Sequence, residues 1–420
     1  MITRCMACGF GALLSMAPGQ NTYAADTLLA GTTPAAALQR LHTQREDPEP
    51  RLLEALLLLT SQGVDASMRE VESLVADYPH FRLARLVYAD LLLARAGRVR
   101  DIGEPGLLNA QDHETVLQGL VHEARQRLRA NLDTPHIGKI PLELLQLGTK
   151  TNRAVLVEKA RNRLYVFTRG DNGRPPRLRE DYYVSYGRGE GDKQVRGDLR
   201  TPEGVYFVQS HIPDEKLQEK YGRGAYPINY PNPLDRKLGK TGDGIWLHGV
   251  ERSIYSRPPL ASEGCVVLAN PDLLDIGTFL KPGHTPVVIA KRLRWVDTQT
   301  WQQAHEQALA AVAAWKQDWG SLDLDRYLAH YAQDFWAKGH DLASWSKRKA
   351  GVFSRKTYQK IRIADLNILR YPDNAGDGRD VLVASFHQQF RSNNYDSDGR
   401  KQLFWVKQDG AWKVLFEGGG

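Results

Sequence analysis

The spacing of apolar residues changes twice along the chain and divides it into three parts. Over about 26–145, apolar residues recur three or four positions apart, which is the period of an α-helix. Over about 150–293, apolar and polar residues alternate in short runs bounded by glycine and proline, as in β-strands. Over about 300–420, a helical pattern gives way to alternating runs. The sequence therefore predicts a multidomain protein with an α-helical N-terminal region, a β-rich domain and an α+β domain.

The N-terminal part predicts several helices in succession. Three segments of helical length end at glycine or proline, which are typical helix stops: "PRLLEALLLLTSQG", "ASMREVESLVADYP" and "HFRLARLVYADLLLARAG". The succession resembles a tetratricopeptide-type hairpin followed by the first helix of a second unit. Because so short a series does not establish a repeat array, a plain helical bundle is an equally good interpretation of 26–145.

The central part predicts short strands interrupted by one helix. "RAVLVEKARNRLYVFT" predicts a hairpin that turns at "KARN". "TPEGVYFVQSHI", "GIWLHG", "GCVVLA" and "TPVVIA" predict further strands, and "NPDLLDIGTFL" predicts a helix capped by asparagine or aspartate. This is a β-rich domain over 150–293.

The C-terminal part predicts helices followed by a curved antiparallel sheet. The helical pattern begins near "RWVDTQTW" and breaks at Gly320. Three strand segments follow, and the last contains a "QDG" turn. This α+β cone over 300–420 resembles the nuclear transport factor 2-like fold. Aromatic residues run through it, and we expect most to form a core and some to line a pocket: Trp315, Trp319, Trp336, Trp345, Phe386, Trp405 and Trp412.

The first residues predict an export signal over 1–25. Arg4 precedes an apolar run that is too short to span a bilayer, and "NTYAAD" offers small residues for cleavage. We therefore expect no transmembrane anchor in the mature chain. Removal of this segment takes away Cys5 and Cys8, which leaves Cys265 as the one cysteine of an exported chain. A lone thiol exposed to oxidation is easier to explain if it performs chemistry.

The net charge of the chain excludes few classes of partner. The formal charge is +7, and it falls to +6 with the loss of Arg4. A mild basic excess suits an anionic polymer such as cell-wall glycopeptide, and simple solubility explains it as well. Since the sequence lacks a basic-aromatic nucleic-acid motif, we expect no nucleic-acid partner.

Cys265 and His248 are the candidate catalytic pair. A thiol attacks as a thiolate, and an imidazole can accept its proton. The two residues lie at the ends of separate predicted strands, so they meet if those strands pair. No acidic residue flanks His248, which makes the carbonyl of Gly249 the candidate for orienting the imidazole. Backbone N–H groups around the turn Ser262-Glu263-Gly264 are candidates for an oxyanion site. The alternative is a small buried cysteine without a function.

The residues around this pair resemble the L,D-transpeptidase catalytic (YkuD) family. The resemblance covers about 150–293 and is carried by "NRLYVF", "YYVSYGRG", "LRTPEGVYFV", "GIWLHG" and "SEGCVVL". It implies that Cys265 is the nucleophile, His248 the base and Gly249 the third member through its carbonyl. Many relatives have histidine where Glu263 stands, and arginine or asparagine where Val267 stands.

The resemblance also implies a substrate and a compartment. Members attack the bond between the L-centre of diaminopimelate and a terminal D-residue in peptidoglycan stem peptides, through a thioacyl-enzyme. An acceptor amine then gives a transpeptidase, and water gives an LD-carboxypeptidase. With the export signal, this implies the periplasm of a Gram-negative bacterium. The chemistry needs no cofactor and no metal, and His211, His284 and His305 lack metal-ligand spacing.

Four further residues are candidates for binding substrate. Tyr226, Tyr230 and Asn232 precede the strand of His248 and are expected either to form a substrate wall or to pack in a proline-rich loop. Arg257 is a candidate to bind a stem carboxylate, because guanidinium pairs with carboxylate in bidentate fashion. A solvated loop arginine is the alternative.

The order of the three parts resembles a cell-shape subgroup that includes an LD-carboxypeptidase. This makes trimming of tetrapeptide stems to tripeptides the alternative to cross-linking. An inactive wall-binding scaffold protein is an alternative of another class. The tail, over 300–420, is expected to hold wall polymer or a partner peptide and to position the catalytic domain. Its deletion should then weaken binding to whole sacculi but spare hydrolysis of a small soluble tetrapeptide.

Overall fold

A computed structural model describes residues 47–96, 111–132, 138–171, 173–372 and 378–419. The predicted export signal at 1–25 lies outside these ranges. No helix within them is both long enough and apolar enough to cross a membrane.

Four helices of the described N-terminal part pack around one apolar core. The helices are α1 (Pro48–Gln62), α2 (Val64–Asp77), α3 (Arg82–Arg95) and α4 (Gln111–Leu132). Gly63 ends α1 with φ of 89°, a conformation that glycine adopts without strain. Leu56, Val71, Phe81 and Val87 are buried in the core. The predicted helices are therefore present. Residues 140–146, at the end of this predicted region, form two short strands joined by a turn instead.

The central domain consists of two main sheets packed face to face around an apolar core. One sheet has the order β5-β4-β3-β13-β7, and its strands are β3 (Arg153–Glu158), β4 (Arg163–Thr168), β5 (Arg177–Tyr183), β7 (Gly204–Phe207) and β13 (Pro286–Ala290). The other has the order β12-β10-β9-β8, with β8 (Ile212–Pro213), β9 (Gly224–Pro227), β10 (Trp246–His248) and β12 (Val266–Val267). A small pair joins β6 (Tyr186–Gly187) to β11 (Leu260–Ser262). The helices are α5 (Pro233–Lys237) and α6 (Asn270–Gly277).

The predicted hairpin at "KARN" is present, and Asn162 completes its turn in the left-handed conformation, with φ of 53°. The predicted helix after Cys265 is also present as α6. Its predicted polar cap is wrong, because Ala269 occupies the capping position and no side chain caps the helix.

The described part of the tail has three helices against a seven-stranded sheet. The helices are α7 (Thr298–Gly320), α8 (Leu324–Leu328) and α9 (Leu342–Phe353). The strands are β15 (Tyr331–Ala337), β16 (His340–Asp341), β17 (Gln359–Arg370), β18 (Val381–Ser392), β19 (Asp396–Gln408) and β20 (Ala411–Gly419), and β2 (Leu144–Gln146) completes the sheet. The sheet is antiparallel as predicted, except that β15 pairs with β20 in parallel.

The tail and the central domain share a hydrophobic core. β2 precedes the central domain in the chain but pairs with β17 of the tail. At the same junction, the short strand β1 (Ile140–Pro141) pairs with β14 (Trp295–Val296). Leu156 and Val288 of the central sheet are buried in one cluster with Phe404 of the tail. The boundary between these two parts is therefore continuous apolar packing.

Candidate active site

The pairing of two strands brings Cys265 and His248 to one face. β10 and β12 are parallel neighbours, with His248 opposite Val267. Cys265 directly precedes β12, two positions before Val267. Because residues two apart in an extended chain share a face, the side chain of Cys265 is a diagonal neighbour of His248.

The imidazole of His248 is held through its Nδ1 atom. Nδ1 lies 2.7 Å from the carbonyl oxygen of Gly249. Because a carbonyl only accepts, Nδ1 must carry the hydrogen, and Nε2 is left free to act as a base. The ring is buried, and the edge of Tyr221 packs against it with ring centroids 5.0 Å apart. Burial lowers the pKa of His248 to about 4, so the ring is neutral at pH 7.

The thiol of Cys265 is also neutral at rest. Its Sγ donates to the carbonyl oxygen of Gly244 at 3.5 Å. Burial raises the pKa of the thiol to about 11, and the backbone N–H of Trp246 opposes the rise. A neutral thiol beside a neutral imidazole is a pair in which proton transfer accompanies nucleophilic attack. Arg257 favours the thiolate electrostatically, whereas Glu263 opposes it.

The turn before Cys265 is built by Ser262 and Gly264. Ser262 Oγ donates to the carbonyl of Cys265 at 2.6 Å and accepts from the backbone N–H of Gly264 at 3.1 Å. Gly264 has φ of 129°, and a Cβ there would lie 2.8 Å from the backbone oxygen of Arg200. Of the backbone N–H groups predicted to serve an oxyanion, that of Gly264 already donates to Ser262 Oγ. Through these two hydrogen bonds, Ser262 shapes the turn.

Glu263 points to solvent beside the thiol. It faces Arg188 with 3.5 Å between a carboxylate oxygen and a guanidinium nitrogen, and both side chains are largely exposed. This pair places one anionic and one cationic group at the surface near Cys265. A screened pair of this kind adds little stability.

The predicted substrate wall at Tyr226, Tyr230 and Asn232 is wrong. All three side chains are buried. Tyr226 stacks on His211 with ring centroids 4.7 Å apart, and the hydroxyl of Tyr230 donates to the carbonyl of Thr241 at 3.1 Å. Asn232 caps α5 and donates to the carbonyl of Val205. The segment is a packed loop, which was the alternative interpretation.

Arg257 lies next to the catalytic pair but already has partners. Its guanidinium is 2.9 Å from Glu251 and donates to the carbonyl of Lys220 at 2.7 Å. Its side chain is only 15% exposed. The arrangement differs from both expectations, because the arginine braces the loop between His248 and Cys265.

Several residues around the site were missed by the sequence analysis. Thr201 Oγ1 donates to the carbonyl of Gly264 at 2.9 Å and accepts from the N–H of Gly187, which ties the turn to a neighbouring loop. Asn270 binds the backbone beside Gly249. Tyr255, in the loop between His248 and Cys265, packs on Phe81 of the helical region. Thr201 stands inside the quoted "LRTPEG" motif, whereas the "NPD" of Asn270 is typical of a helix cap.

A cleft of about 430 Å³ opens on the tail. Trp319 and Trp345 line it, whereas Trp315, Phe386 and Trp405 are core residues. Lys349 Nζ lies 4.5 Å from the ring centroid of Trp345. The aromatic residues thus divide between core and pocket. Within the described residues, no histidine, cysteine, aspartate and glutamate group could hold a metal ion.

Comparisons with known proteins divide the chain in the same way. Residues 152–289 match the family model of the L,D-transpeptidase catalytic domain, and residues 307–418 match that of the Cds6 C-terminal NTF2-like domain. The chain is 31% identical over 109 residues to YafK of Escherichia coli K12, a match that covers 26% of this chain and 39% of YafK.

Two solved structures are similar to about two thirds of the chain. Bdellovibrio bacteriovorus Bd1075 is 27% identical, with a TM-score of 0.58, and the match covers 67% of this chain and 98% of that one. The helical cell shape determining protein Pgp2 from Campylobacter jejuni is 28% identical, with a TM-score of 0.55, and the match covers 66% and 95%. The catalytic domain and the nuclear transport factor 2-like domain expected from the sequence are therefore both present.

Proposed function

We propose that this protein is a periplasmic peptidoglycan-modifying cysteine enzyme that acts on the diaminopimelate–D-Ala bond of tetrapeptide stems. One observation carries the proposal. Cys265 and the Nε2-basic tautomer of His248 share a face, inside the segment that matches the L,D-transpeptidase model. The predicted export signal supports the compartment.

The two residues are sufficient for a balanced acyl transfer. The thiol attacks the carbonyl carbon of the stem while His248 Nε2 takes its proton. The C–N bond then breaks, and the leaving D-Ala amine receives that proton. The thioester is opened by an acceptor amine or by water, which returns a proton to the thiol through His248.

Transpeptidation and LD-carboxypeptidase activity share the first of these steps. The amine acceptor gives an L,D-transpeptidase, which is the activity that the matched domain model names. Hydrolysis is the second candidate, because about two thirds of the chain is similar to the helical cell shape determining protein Pgp2, and the cell-shape subgroup that the order of the three parts resembles includes an LD-carboxypeptidase. The two differ only in what opens the thioester.

Incubation of the mature protein with disaccharide-tetrapeptide separates these outcomes. We expect loss of D-Ala, with a cross-linked dimer for the transpeptidase and a tripeptide for the carboxypeptidase. Cys265→Ala should abolish turnover and leave the thermal melt unchanged. His248→Ala should lower turnover by on the order of a hundredfold. Retained turnover by Cys265→Ala would remove the thiol from the mechanism.

A carbapenem adduct tests whether the protein is an inactive wall-binding scaffold. An acylated Cys265, found by mass spectrometry, requires a working nucleophile, and Cys265→Ala is the control. No adduct on the native protein, together with binding to sacculi, would favour the scaffold.

We further propose that the tail cleft binds wall polymer or a peptide. Its cationic and aromatic lining supports this, because Lys349 lies over the rings of Trp345, Trp319 and Tyr327 at 4.5, 5.3 and 5.1 Å from their centroids. Lys349→Met should weaken binding to sacculi and spare alkylation of Cys265. The control is Lys360→Met, which changes an exposed lysine outside the cleft. Equal binding by both variants would contradict this role.

A further inference from the structure

We propose that Asn270 is a positioning residue that fixes the tautomer of His248 by holding the carbonyl of Gly249. The inference rests on the proposed function, in which His248 Nε2 is the base. The hydrogen bonds of Asn270 go to backbone groups of Val250 and Arg223. It acts through one peptide unit.

The side-chain amide of Asn270 makes three hydrogen bonds to backbone groups near Gly249. Its Oδ1 accepts from the backbone N–H of Val250 at 3.3 Å and from that of Arg223 at 3.1 Å. Its Nδ2 donates to the carbonyl of Val250 at 2.9 Å. Both backbone groups of Val250 are therefore bound by one amide.

The contact to Val250 N–H also sets the direction of the Gly249 carbonyl. The N–H of Val250 and the C=O of Gly249 belong to the same peptide unit, which is planar, and in its trans form they point in opposite directions. When Asn270 Oδ1 accepts from this N–H, the carbonyl on the other side is directed away from Asn270. The Nδ1 of His248 meets it there at 2.7 Å.

The fit around Asn270 is close enough to require glycine at two positions. A Cβ on Gly249 would lie 2.2 Å from Asn270 Oδ1, and a Cβ on Gly222 would lie at the same 2.2 Å. Gly222 also has φ of 67°. A side chain at either glycine would therefore collide with the amide of Asn270. Gly249 is constrained from two sides, by its carbonyl and by this contact.

Asn270 is free for this task because it does not cap α6. It is the first residue of the helix, and Ala269 holds the capping position without a side-chain bond. The backbone before α6 is fixed to the catalytic strand, since Leu268 N–H donates to the carbonyl of His248 at 2.9 Å. The helix therefore carries the asparagine at a set distance from the base.

Loss of this amide should release the peptide between Gly249 and Val250. Without the Oδ1 contact, the unit can rotate and the Gly249 carbonyl no longer selects the Nδ1–H form. The Nε2–H tautomer of His248 cannot take the proton of Cys265. The population of competent enzyme then falls, which lowers kcat and leaves KM nearly unchanged.

The test compares Asn270→Ala with the native protein by two readouts that need no wall substrate. The first is the rate of Cys265 alkylation by iodoacetamide against pH, and the second is the ¹⁵N spectrum of His248, assigned with His248→Ala. We expect about a tenfold slower alkylation near pH 7 and a mixture of tautomers in place of Nδ1–H. Asn229→Ala is the matched control. Asn229 accepts a backbone hydrogen bond from Phe207 N–H at 2.7 Å in the same domain, away from His248.

Asn270→Asp keeps the test decisive if the alanine variant does not fold. It retains the oxygen that accepts from Val250 N–H, so the Nδ1–H signal should persist. An unchanged tautomer and alkylation rate in a folded Asn270→Ala overturns the inference, as does loss of the Nδ1–H signal in a folded Asn270→Asp. A native protein that fails to process tetrapeptide, but whose tautomer still depends on Asn270, would instead contradict only the proposed function.

Discussion

The helical region and the tail both join the catalytic domain, but by contacts of opposite chemical character. The tail is joined by a shared apolar core and by the pairing of β2 with β17. The helical region is joined by buried ions and by the aromatic side chain of Tyr255. The carboxylate of Glu49 lies 2.9 Å from Arg127 of α4 and 2.7 Å from Arg163 of β4.

The two interfaces also reach different parts of the catalytic domain. The helical region contacts the loop that connects His248 to Cys265: Ser256 Oγ donates to Glu123 at 2.6 Å, and Tyr255 N–H donates to the carbonyl of His80 at 3.0 Å. The tail packs on β3 and β13 through its core residues.

The two interfaces should therefore contribute differently to stability and to reactivity. Burial of apolar surface is the main source of folding stability, so the tail should support the fold. A buried ion network contributes little net stability but penalises any misplaced charge, so the helical region should fix the geometry of the loop. Disturbing the tail interface should cost stability, and disturbing the helical interface should cost reactivity.

The largest expected effect is that of removing the tail. A chain without 300–420 should fail to fold, because Leu156, Val288 and their neighbours in the central sheet lose their cover and β2 loses its partner. This differs from the sequence-based expectation that the tail is separable. Circular dichroism and a thermal melt measure it. The matched deletion of 47–132 should leave a soluble, cooperatively melting protein. A folded fragment without the tail and with native alkylation of Cys265 would reverse the comparison.

Truncation of one aromatic in the shared core comes next. Phe404 is fully buried, with its ring centroid 5.6 Å from that of Phe416. Phe404→Ala should lower the free energy of unfolding by about 3–5 kcal/mol, measured by guanidinium denaturation, because it leaves a cavity. Tyr358→Ala, at an aromatic that is 47% exposed, should change it by less than about 0.5 kcal/mol. Similar losses for the two would mean that the shared core adds little.

A pH effect should follow from Glu143 at the same junction. Its side chain is fully buried beside Arg294, and burial raises its pKa to about 7 although the arginine opposes this. The folded state therefore binds the proton more tightly than the unfolded state. The free energy of unfolding should fall by on the order of 3 kcal/mol as pH rises from about 4.5 to about 7, then level off. Glu143→Gln should remove this fall from thermal melts, and an unchanged pH slope would contradict the assignment.

The sequence alone predicted the features that local patterns and motifs determine. It predicted the hairpin at Asn162 and the helix-then-sheet form of the tail. It did not predict contacts between distant segments. The strand at Leu144–Gln146 is too short to show alternation, and its partner begins at Gln359.

The sequence-based predictions for individual side chains were wrong for the same reason. Asn232 looked available to a substrate, but it is buried against Tyr371, which lies in another domain. Asn270 had the local pattern of a cap, and its partners Arg223 and Val250 come from separate turns. The local sequence does not contain the competing partner that decides where such a polar side chain points.

The smallest expected effect is on the helical interface, at Tyr255. Its ring lies 4.7 Å from that of Phe81 and 5.8 Å from that of Tyr78, measured between centroids. Each such pair contributes about 0.5–1.5 kcal/mol. Tyr255→Ala should therefore lower the free energy of unfolding by much less than Phe404→Ala does. It should nevertheless slow iodoacetamide alkylation of Cys265 several-fold, because the loop that ends at Cys265 loses its hold on the helices. Tyr255→Phe keeps both ring contacts and should alkylate at close to the native rate. If Tyr255→Ala destabilises the protein as much as Phe404→Ala while the thiol reacts normally, then the helical interface supports the fold, and its assigned role in loop geometry fails.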